Sequence, residues 1–310
     1  MKKLKLFLAL AGFIVGGGNL WAQTDVTSTY ITNPSFESDG AITASNGALT
    51  ITGWTQSDPA SLYNNTGCYN ASTAIPTQGT VMVTPSAGDY YLYFRKGWAQ
   101  AAYTFTSATS QSELPAGYYS LSVDYKMVEG YDNTQNNNTT LSIAAKNGDT
   151  VLGTATGTTK TNVSGGNDYT YLNTADWSTV TADFTLEEAK CINVVITCNA
   201  GGQRRSDFVI DNVKLLYTAF VSPTALSLSS SELALTTGAT STLTATITPS
   251  DANYQTDITW TTSAAAVATV ANGVVKAVGP GTATITATTA NNVSTTCEVT
   301  VTNAAAPSFY

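Results

Sequence analysis

The sequence predicts an all-β protein, and three observations carry that prediction. From Thr29 onward, short runs alternate apolar and polar side chains with period two, and no window shows convincing 3.6-residue periodicity. Clusters of Gly, Asn, Ser and Pro separate those runs, as turns separate strands. Charged residues make up only 11% of the chain while Thr, Ser, Asn and Gly abound, so solvent-facing positions are filled by hydroxyls and amides rather than ions. At 310 residues the chain exceeds the size at which a single core stops growing, roughly 250 residues, so two domains are expected.

In chain order, Lys2, Lys3 and Lys5 precede an apolar run from Leu6 to Val15, then three glycines and the small residue Ala22. This reads as a cleavable secretory signal over 1–22, too short to span a bilayer comfortably. No cysteine follows the apolar run where a lipoprotein needs its acylated residue, so a released product starting near Gln23 is expected. In Tyr118 to Met127, the residues Tyr119, Leu121, Val123, Tyr125 and Met127 fall on one face. Tyr118, Ser120, Ser122, Asp124 and Lys126 fall on the other, giving one buried and one wet side. Trp177 to Leu186 repeats the pattern with Val180, Ala182, Phe184 and Leu186, and Ile192 to Cys198 and Phe208 to Tyr217 add further strands. Ser57 to Gln78, Glu129 to Thr140 and Thr154 to Asp168 read as long polar connections, which in a compact domain are either functional or disordered. At Ala219 to Thr224 aromatic-rich sequence gives way to Ser, Thr, Ala and Val, with Pro223 at the junction. The expected domains are therefore 23–219 and 220–302, followed by a tail or linker over 303–310.

Removing the signal leaves ten basic against 21 acidic residues, a net charge of −11. Such a chain is a poor ligand for nucleic-acid phosphates or anionic lipid. No later stretch approaches ~18 unbroken apolar residues, so no membrane span is expected after the signal. The chain has no histidine, which removes Ser-His-Asp and Cys-His activation, HExxH zinc chemistry and histidine-based metal sites together. Paired-carboxylate chemistry stays open, yet no motif-like spacing of acids and bases stands out, and no enzyme activity is expected. Cys191 and Cys198 flank a strand that would hold their Cα atoms roughly 23 Å apart at ~3.3 Å per residue, beyond disulfide reach. They are expected to act as small hydrophobes, with a bridge from Cys68 to one of them as the alternative.

The segment Val221 to Thr302 resembles the group 2 bacterial immunoglobulin-like (Big) domain, through VSPTALSLS, LALTTGATSTLTATITPSDA, ITWTTSAAAVATVANGVVKAVGPGTATITAT and CEVTV. Independently, Leu243, Ala245 and Ile247, and Ala283, Ile285 and Ala287, alternate with polar residues as the strands of a sandwich do. Asn272-Gly273 between valines is a two-residue hairpin turn, since that turn needs positive φ at both positions. Trp260, beside Ile258, is read as core. The resemblance implies a spacer or adhesion module without enzyme activity.

Thr29 to Tyr217 looks like a galactose-binding-like jelly roll, similar to carbohydrate-binding modules of families 4, 9 and 22, through ITNPSFE, Gly53-Trp54, LPAGYYSLSVDYK and FVIDNVKLLY. The predicted architecture is thus a jelly-roll β-sandwich followed by an immunoglobulin-like β-sandwich. The resemblance implies a structural calcium ion held by Glu37 and Asp211, hard oxygen ligands of the kind calcium takes. Asp211 interrupts the apolar series Val209, Val213, Leu215 and Tyr217, and a buried carboxylate must be paired. The other reading is that it accepts backbone hydrogen bonds at a strand edge. Glycan binding needs aromatic faces for stacking and polar groups for hydroxyls. Trp98, in the turn Arg95-Lys96-Gly97-Trp98, is the leading candidate, with Tyr131, Tyr169, Tyr171 and Trp177 in or beside the long connections. Arg204 and Arg205 supply fork-like donors. Trp54 is assigned to the core.

The expected function is a secreted or cell-surface, non-catalytic glycan-binding module of a bacterium, with polysaccharide as partner. The alternative is an adhesin or scaffold that binds other surface proteins. Asp149-Thr150-Val151 resembles the short O-glycosylation motif of Bacteroidetes secreted proteins.

Overall fold

In the computed structural model of the chain, the structure describes residues 22–44, 49–57, 66–76, 80–96, 102–131, 138–160, 169–170, 177–200 and 206–304. Its compact units divide between Ala219 and Phe220.

The N-terminal unit opens with strand β1 (Thr24–Asp25) and one helical turn, α1 (Thr27–Tyr30). The strands that follow are β2 (Ile42–Thr43), β3 (Trp54–Gln56), β4 (Gly67–Asn70), β5 (Ile75–Pro76), β6 (Thr80–Val81) and β7 (Tyr90–Lys96). Next come β8 (Tyr103–Ser107), β9 (Gly117–Tyr131), β10 (Asn138–Asn147), β11 (Thr150–Lys160) and β12 (Tyr169–Thr170). The unit ends with β13 (Ser178–Leu186), β14 (Asn193–Ala200) and β15 (Ser206–Ala219). The larger sheet runs β12-β9-β15-β7-β4-β2, with β1 on β15 and β13 on β9, and the smaller runs β11-β10-β14-β8-β3. From β7 to β10 successive strands alternate between the two sheets, so the chain crosses the sandwich repeatedly as a jelly roll does.

Pattern becomes packing at the inner faces. Val180, Ala182 and Phe184 of β13 lie opposite Val123, Leu121 and Tyr119 of β9, and all six are buried in one core. Tyr119 stacks on Phe184 at 5.1 Å while its hydroxyl donates to the Pro115 carbonyl, 2.6 Å, so the buried ring keeps a partner for its polar end. Phe94 stacks on Phe208 at 5.4 Å with the planes 5° apart, and meets Phe105 of the opposite sheet edge-on at 5.3 Å. Trp54, 5% exposed, belongs to this core and donates its indole N–H to the Asn33 carbonyl, 3.0 Å.

Several expectations change. Strand β11 continues through Lys160, where a connection beginning at Thr154 was expected, and β9 continues to Tyr131. The glycines of β11 read as loop residues but serve close approach: a Cβ at Gly157 would lie 2.3 Å from the Tyr125 hydroxyl, and one at Gly153 2.7 Å from the Asp183 carbonyl. The stretch Ser57 to Gln78 likewise contains β4 and β5. Along β15 the series Val209, Asp211, Val213, Leu215 is not one face. The register against β9 shifts between Asp211 and Lys214, with Asn212 at φ 49, so Val213 and Leu215 join Phe208 and Ile210 in the core while Val209 lies on the opposite side. Asp211 therefore shares the side of Val209 rather than interrupting the core. The four cysteines are unbridged, and Cys68, Cys198 and Cys297 are buried as small hydrophobes.

The C-terminal unit comprises β16 (Ala225–Leu228), β17 (Glu232–Thr236), β18 (Thr240–Thr242), β19 (Ala245–Thr248), β20 (Ile258–Thr262), β21 (Ala268–Ala271), β22 (Val274–Ala277), β23 (Gly281–Thr289) and β24 (Ser294–Thr302). Sheets β17-β24-β23-β20, β18-β22-β21 and β16-β19 enclose Leu243, Val275, Ile285, Cys297 and Val299. Trp260 is partly buried against that core. Asn272 and Gly273, at φ 48 and 81, close the β21–β22 hairpin with the positive angles expected of them.

Candidate functional site

Strand β7 carries Tyr90-Tyr91-Leu92-Tyr93-Phe94, apolar on both sides, the pattern of a strand covered on both faces. Leu92 and Phe94 point into the sandwich. Tyr91 and Tyr93 point away from it and form a second cluster with Tyr69, Ile75, Val83 and Val209, against which Trp177 packs. Register builds this cluster, since Tyr69 of β4 lies opposite Tyr91 and Val209 of β15 opposite Tyr93.

The rings interlock. Tyr69 and Tyr91 stack at 6.4 Å, Tyr93 meets Tyr69 edge-on at 5.6 Å, and Trp177 meets Tyr91 edge-on at 6.4 Å. Trp177 is half-buried; its indole N–H donates to the Thr84 carbonyl, 3.0 Å, and the Lys126 ammonium lies 5.0 Å from its ring centroid. Lys126 is itself only 9% exposed, so the face that alternation marks as wet is covered here. The Tyr91 hydroxyl is buried without a hydrogen-bond partner. Burial, then the neighbouring Tyr69, pushes its pKa well above the ordinary tyrosine value, and burial pushes Tyr69 up to about 12. Farther along the same side, the Asp124 carboxylate accepts from the Thr179 hydroxyl, 2.6 Å, and from the Asn212 side-chain Nδ2–H, 2.8 Å. This arrangement offers aromatic surface, tyrosine hydroxyls, an indole N–H and a cation, and it also serves as a satellite core under the connections.

Glu37 and Asp211 grip one segment, residues 86–90. Asp211, fully buried, accepts from the Ser86 amide at 2.8 Å and hydroxyl at 3.1 Å, from the Ala87 amide at 2.9 Å and from the Asn212 amide at 2.6 Å. Glu37 accepts from the amides of Asp89, 3.0 Å, and Tyr90, 2.9 Å. Gly88 passes between at φ 66, where a Cβ would lie 2.4 Å from the Glu37 carboxylate. Desolvation raises the Asp211 pKa to about 6 against the lowering effect of its hydrogen bonds.

For the calcium ion that the resemblance implies, the donor set does not fit as arranged. The two carboxylates are suitable oxygen ligands, but the groups around them present hydrogens, which repel a cation. Among the described residues, no cluster of three or more Cys, Asp or Glu is placed to hold a metal. Calcium at this pair is thus a proposal that requires residues 86–90 to turn their amides away. We expect a chelator to leave the melting temperature unchanged within about 1 °C, the scale of a few tenths of a kcal/mol for a unit of this size. A calcium-dependent rise of several degrees, abolished in Asp211→Asn, would establish the ion instead.

Of the sequence-derived candidates, Trp177 joins the aromatic cluster. Tyr131 and Tyr169 are brought together as backbone partners of β9 and β12, their side chains lying outside the description. Trp98, Tyr171, Arg204 and Arg205 lie outside the described residues. Tyr69, Tyr91, Tyr93 and Lys126 were not singled out by sequence, although the unbroken apolar run of β7 signals a second covered face. Asp149 and Thr150 are exposed at the β10–β11 hairpin, with Val151 50% exposed. No helix among the described residues is long and apolar enough to cross a membrane.

Residues 223–300 match the bacterial Ig-like domain (group 2) family. The minor capsid protein of Enterobacteria phage T3 is 46% identical over 79 residues, 26% of this chain and 18% of that protein, so the chain spans under one fifth of that relative. Among solved structures, TmCBM61 in complex with β-1,4-galactotriose is similar at 16% identity and TM-score 0.36, over 61% of this chain and 98% of that one. The adhesin domain of Lys-gingipain from Porphyromonas gingivalis is similar at 12% identity and TM-score 0.32, over 58% of this chain and 99% of that one. Carbohydrate-binding modules of families 4, 22 and 6 are also among the similar structures.

Proposed function

We propose that the N-terminal unit is a non-catalytic glycan-binding module of a secreted or cell-surface bacterial protein, and that the C-terminal unit is an immunoglobulin-like spacer. The observation that carries this reading is the aromatic cluster on the outer side of the larger sheet, with half-exposed Trp177 at its margin. Pyranose rings stack on aromatic faces, and the indole N–H, the tyrosine hydroxyls and Lys126 can meet sugar oxygens. Trp98, Tyr131, Tyr169, Tyr171, Arg204 and Arg205 are proposed as further contacts. Without histidine, a hydrolytic mechanism would rest on carboxylates alone, and those with the clearest geometry, Glu37 and Asp211, are occupied in holding backbone.

The ligand class is a neutral polysaccharide, because the mature chain's excess of acidic residues opposes anions while stacking needs no net charge. Titrating neutral oligosaccharides, β-1,4-galactotriose and xylo-oligosaccharides among them, against wild type, Trp98→Ala and Trp177→Ala tests this. Each variant is expected to weaken binding roughly thirtyfold, about 2 kcal/mol for an aromatic anchor. Unchanged affinity in folded variants removes those residues from the site. An empty glycan screen with wild type, together with capture of a surface protein, would favour the adhesin alternative.

A further inference from the structure

We infer that the glycan site continues from Trp177 along the outer side of the larger sheet onto Asp124, held in place by Thr179 and Asn212, and that its ligand is an uncharged sugar donating adjacent free hydroxyls to that carboxylate. This rests on the glycan-binding reading and assigns that site a specificity-determining residue.

Register lays the parts side by side. Trp177 stands just before β13, and alternate residues of a strand share a face, so Thr179 and Thr181 project to the side of Trp177. Both threonines are exposed, and they lie opposite Asp124 and Ser122 of β9. On the other flank of β9, Val209 and Asp211 of β15 lie opposite Lys126 and Asp124. Val209 belongs to the aromatic cluster against which Trp177 packs, and the Lys126 ammonium is 5.0 Å from the Trp177 ring centroid. Asp124 is therefore the next outward position along β9 from the aromatic end of the face.

Asp124 is half-buried, and each of its oxygens is already oriented: Oδ1 by the Thr179 hydroxyl at 2.6 Å, Oδ2 by the Asn212 Nδ2–H at 2.8 Å. An ionised carboxylate has about four acceptor sites, so each oxygen retains capacity for a further donor. Two donors fix the plane of the group before ligand arrives, which lowers the ordering cost of binding. Asn212 sits in the bulge between Asp211 and Lys214 at φ 49, and a bulge re-aims a side chain in this way.

The chemistry of the ligand follows from that of the carboxylate. Its remaining sites accept and cannot donate, so the ligand brings the hydrogens, and two adjacent ring hydroxyls match the two oxygens of one carboxylate. Asp211 occupies the strand position directly opposite, so a ligand carboxylate or sulfate would add a third negative charge beside two. Uronic acids and sulfated sugars are thereby disfavoured, and sugars whose hydroxyls are capped by methyl groups lose the contact.

The test uses the full chain and three probes: the neutral oligosaccharide that wild type binds tightest, its O-methylated derivative, and a uronic-acid oligosaccharide of the same length. Affinity is measured by calorimetry, with a melting curve for every variant. Asp124→Asn is expected to weaken binding of the unmodified oligosaccharide about tenfold, the scale of one hydrogen bond to a charged group. On the O-methylated probe, which wild type binds weakly, the same substitution is expected to change nothing, since the partner hydroxyls are already gone. Thr179→Val and Asn212→Gly leave the carboxylate but release it, and smaller losses are expected; glycine tolerates the positive φ at 212. Thr179→Val also serves if Asp124→Asn does not fold. If wild type binds, Trp177→Ala binds more weakly and folded Asp124→Asn binds as tightly as wild type, the assignment is overturned and the glycan reading stands. Equal losses on the free and O-methylated probes, or wild-type binding of the uronic-acid probe as tight as that of the neutral one, also overturn it. If wild type binds no member of the neutral panel, both readings fall.

Discussion

Replacing Asp211 by Ala is expected to destabilise the N-terminal unit by about 3 kcal/mol, the upper end of the cost of leaving hydrogen-bonding groups unsatisfied. The carboxylate is fully buried and takes four hydrogen bonds from Ser86, Ala87 and Asn212, so truncation leaves four part-buried donors without their acceptor. Because those donors are mostly backbone amides, no repacking can replace them. Asp211→Asn keeps one acceptor and is expected to lose less. Glu37 holds the adjoining amides of Asp89 and Tyr90, so the loss in Glu37→Ala, Asp211→Ala is expected to differ from the sum of the single losses. The pH dependence has a definite sign. The folded Asp211 pKa, about 6, lies above its ordinary 3.8, so between those values the folded state binds more protons than the unfolded. This group's contribution is therefore most favourable at acid pH and is lost as pH rises through about 6. Urea titrations of wild type and Asp211→Asn from pH 4 to 7 measure it; equal slopes would show that Asp211 does not titrate there.

Phe94→Ala is expected to cost about 3–5 kcal/mol, lowering the unit's melting temperature by on the order of 10 °C. Phe94 is 1% exposed and fills the space between the sheets, stacked on Phe208 within its own sheet and edge-on to Phe105 across the sandwich. Deleting the ring leaves a cavity bounded by strands on both sides, which cannot collapse without breaking ladder bonds. Phe94→Leu should retain more than half of the lost stability. Calorimetry of the full chain resolves the effect, with the transition of the C-terminal unit expected to stay in place. A change below about 1 kcal/mol would mean that the surrounding aromatics refill the space.

What could be read from sequence and what could not follow from the range of the interactions. Period-two alternation belongs to the strand itself, so Tyr119, Leu121, Val123 and Tyr125 declared a buried face, and Asn272-Gly273 declared its hairpin, from local residues alone. The all-β class and the match of residues 223–300 to an immunoglobulin-like domain rest on such local signals. Glycines misled where they serve packing: Gly153 and Gly157 mark the close approach of Asp183 and Tyr125, not the end of β11. The face of Val209, Asp211, Val213 and Leu215 was misread because a bulge adds residues to one strand only, and that is settled by register against β9.

The candidate site was less legible for the same reason. Alternation separates Tyr91 and Tyr93 from Leu92 and Phe94, but cannot say what lies above the second pair. Sequence alone thus determined the class of the fold, the faces of strands without a bulge and the chemistry that lack of histidine forbids. Tertiary structure decided the partners. Asp211 meets Ser86 across 125 positions, and Trp177 meets Thr84 across 93. No local pattern encodes such contacts, because each depends on where the whole sandwich places two distant segments.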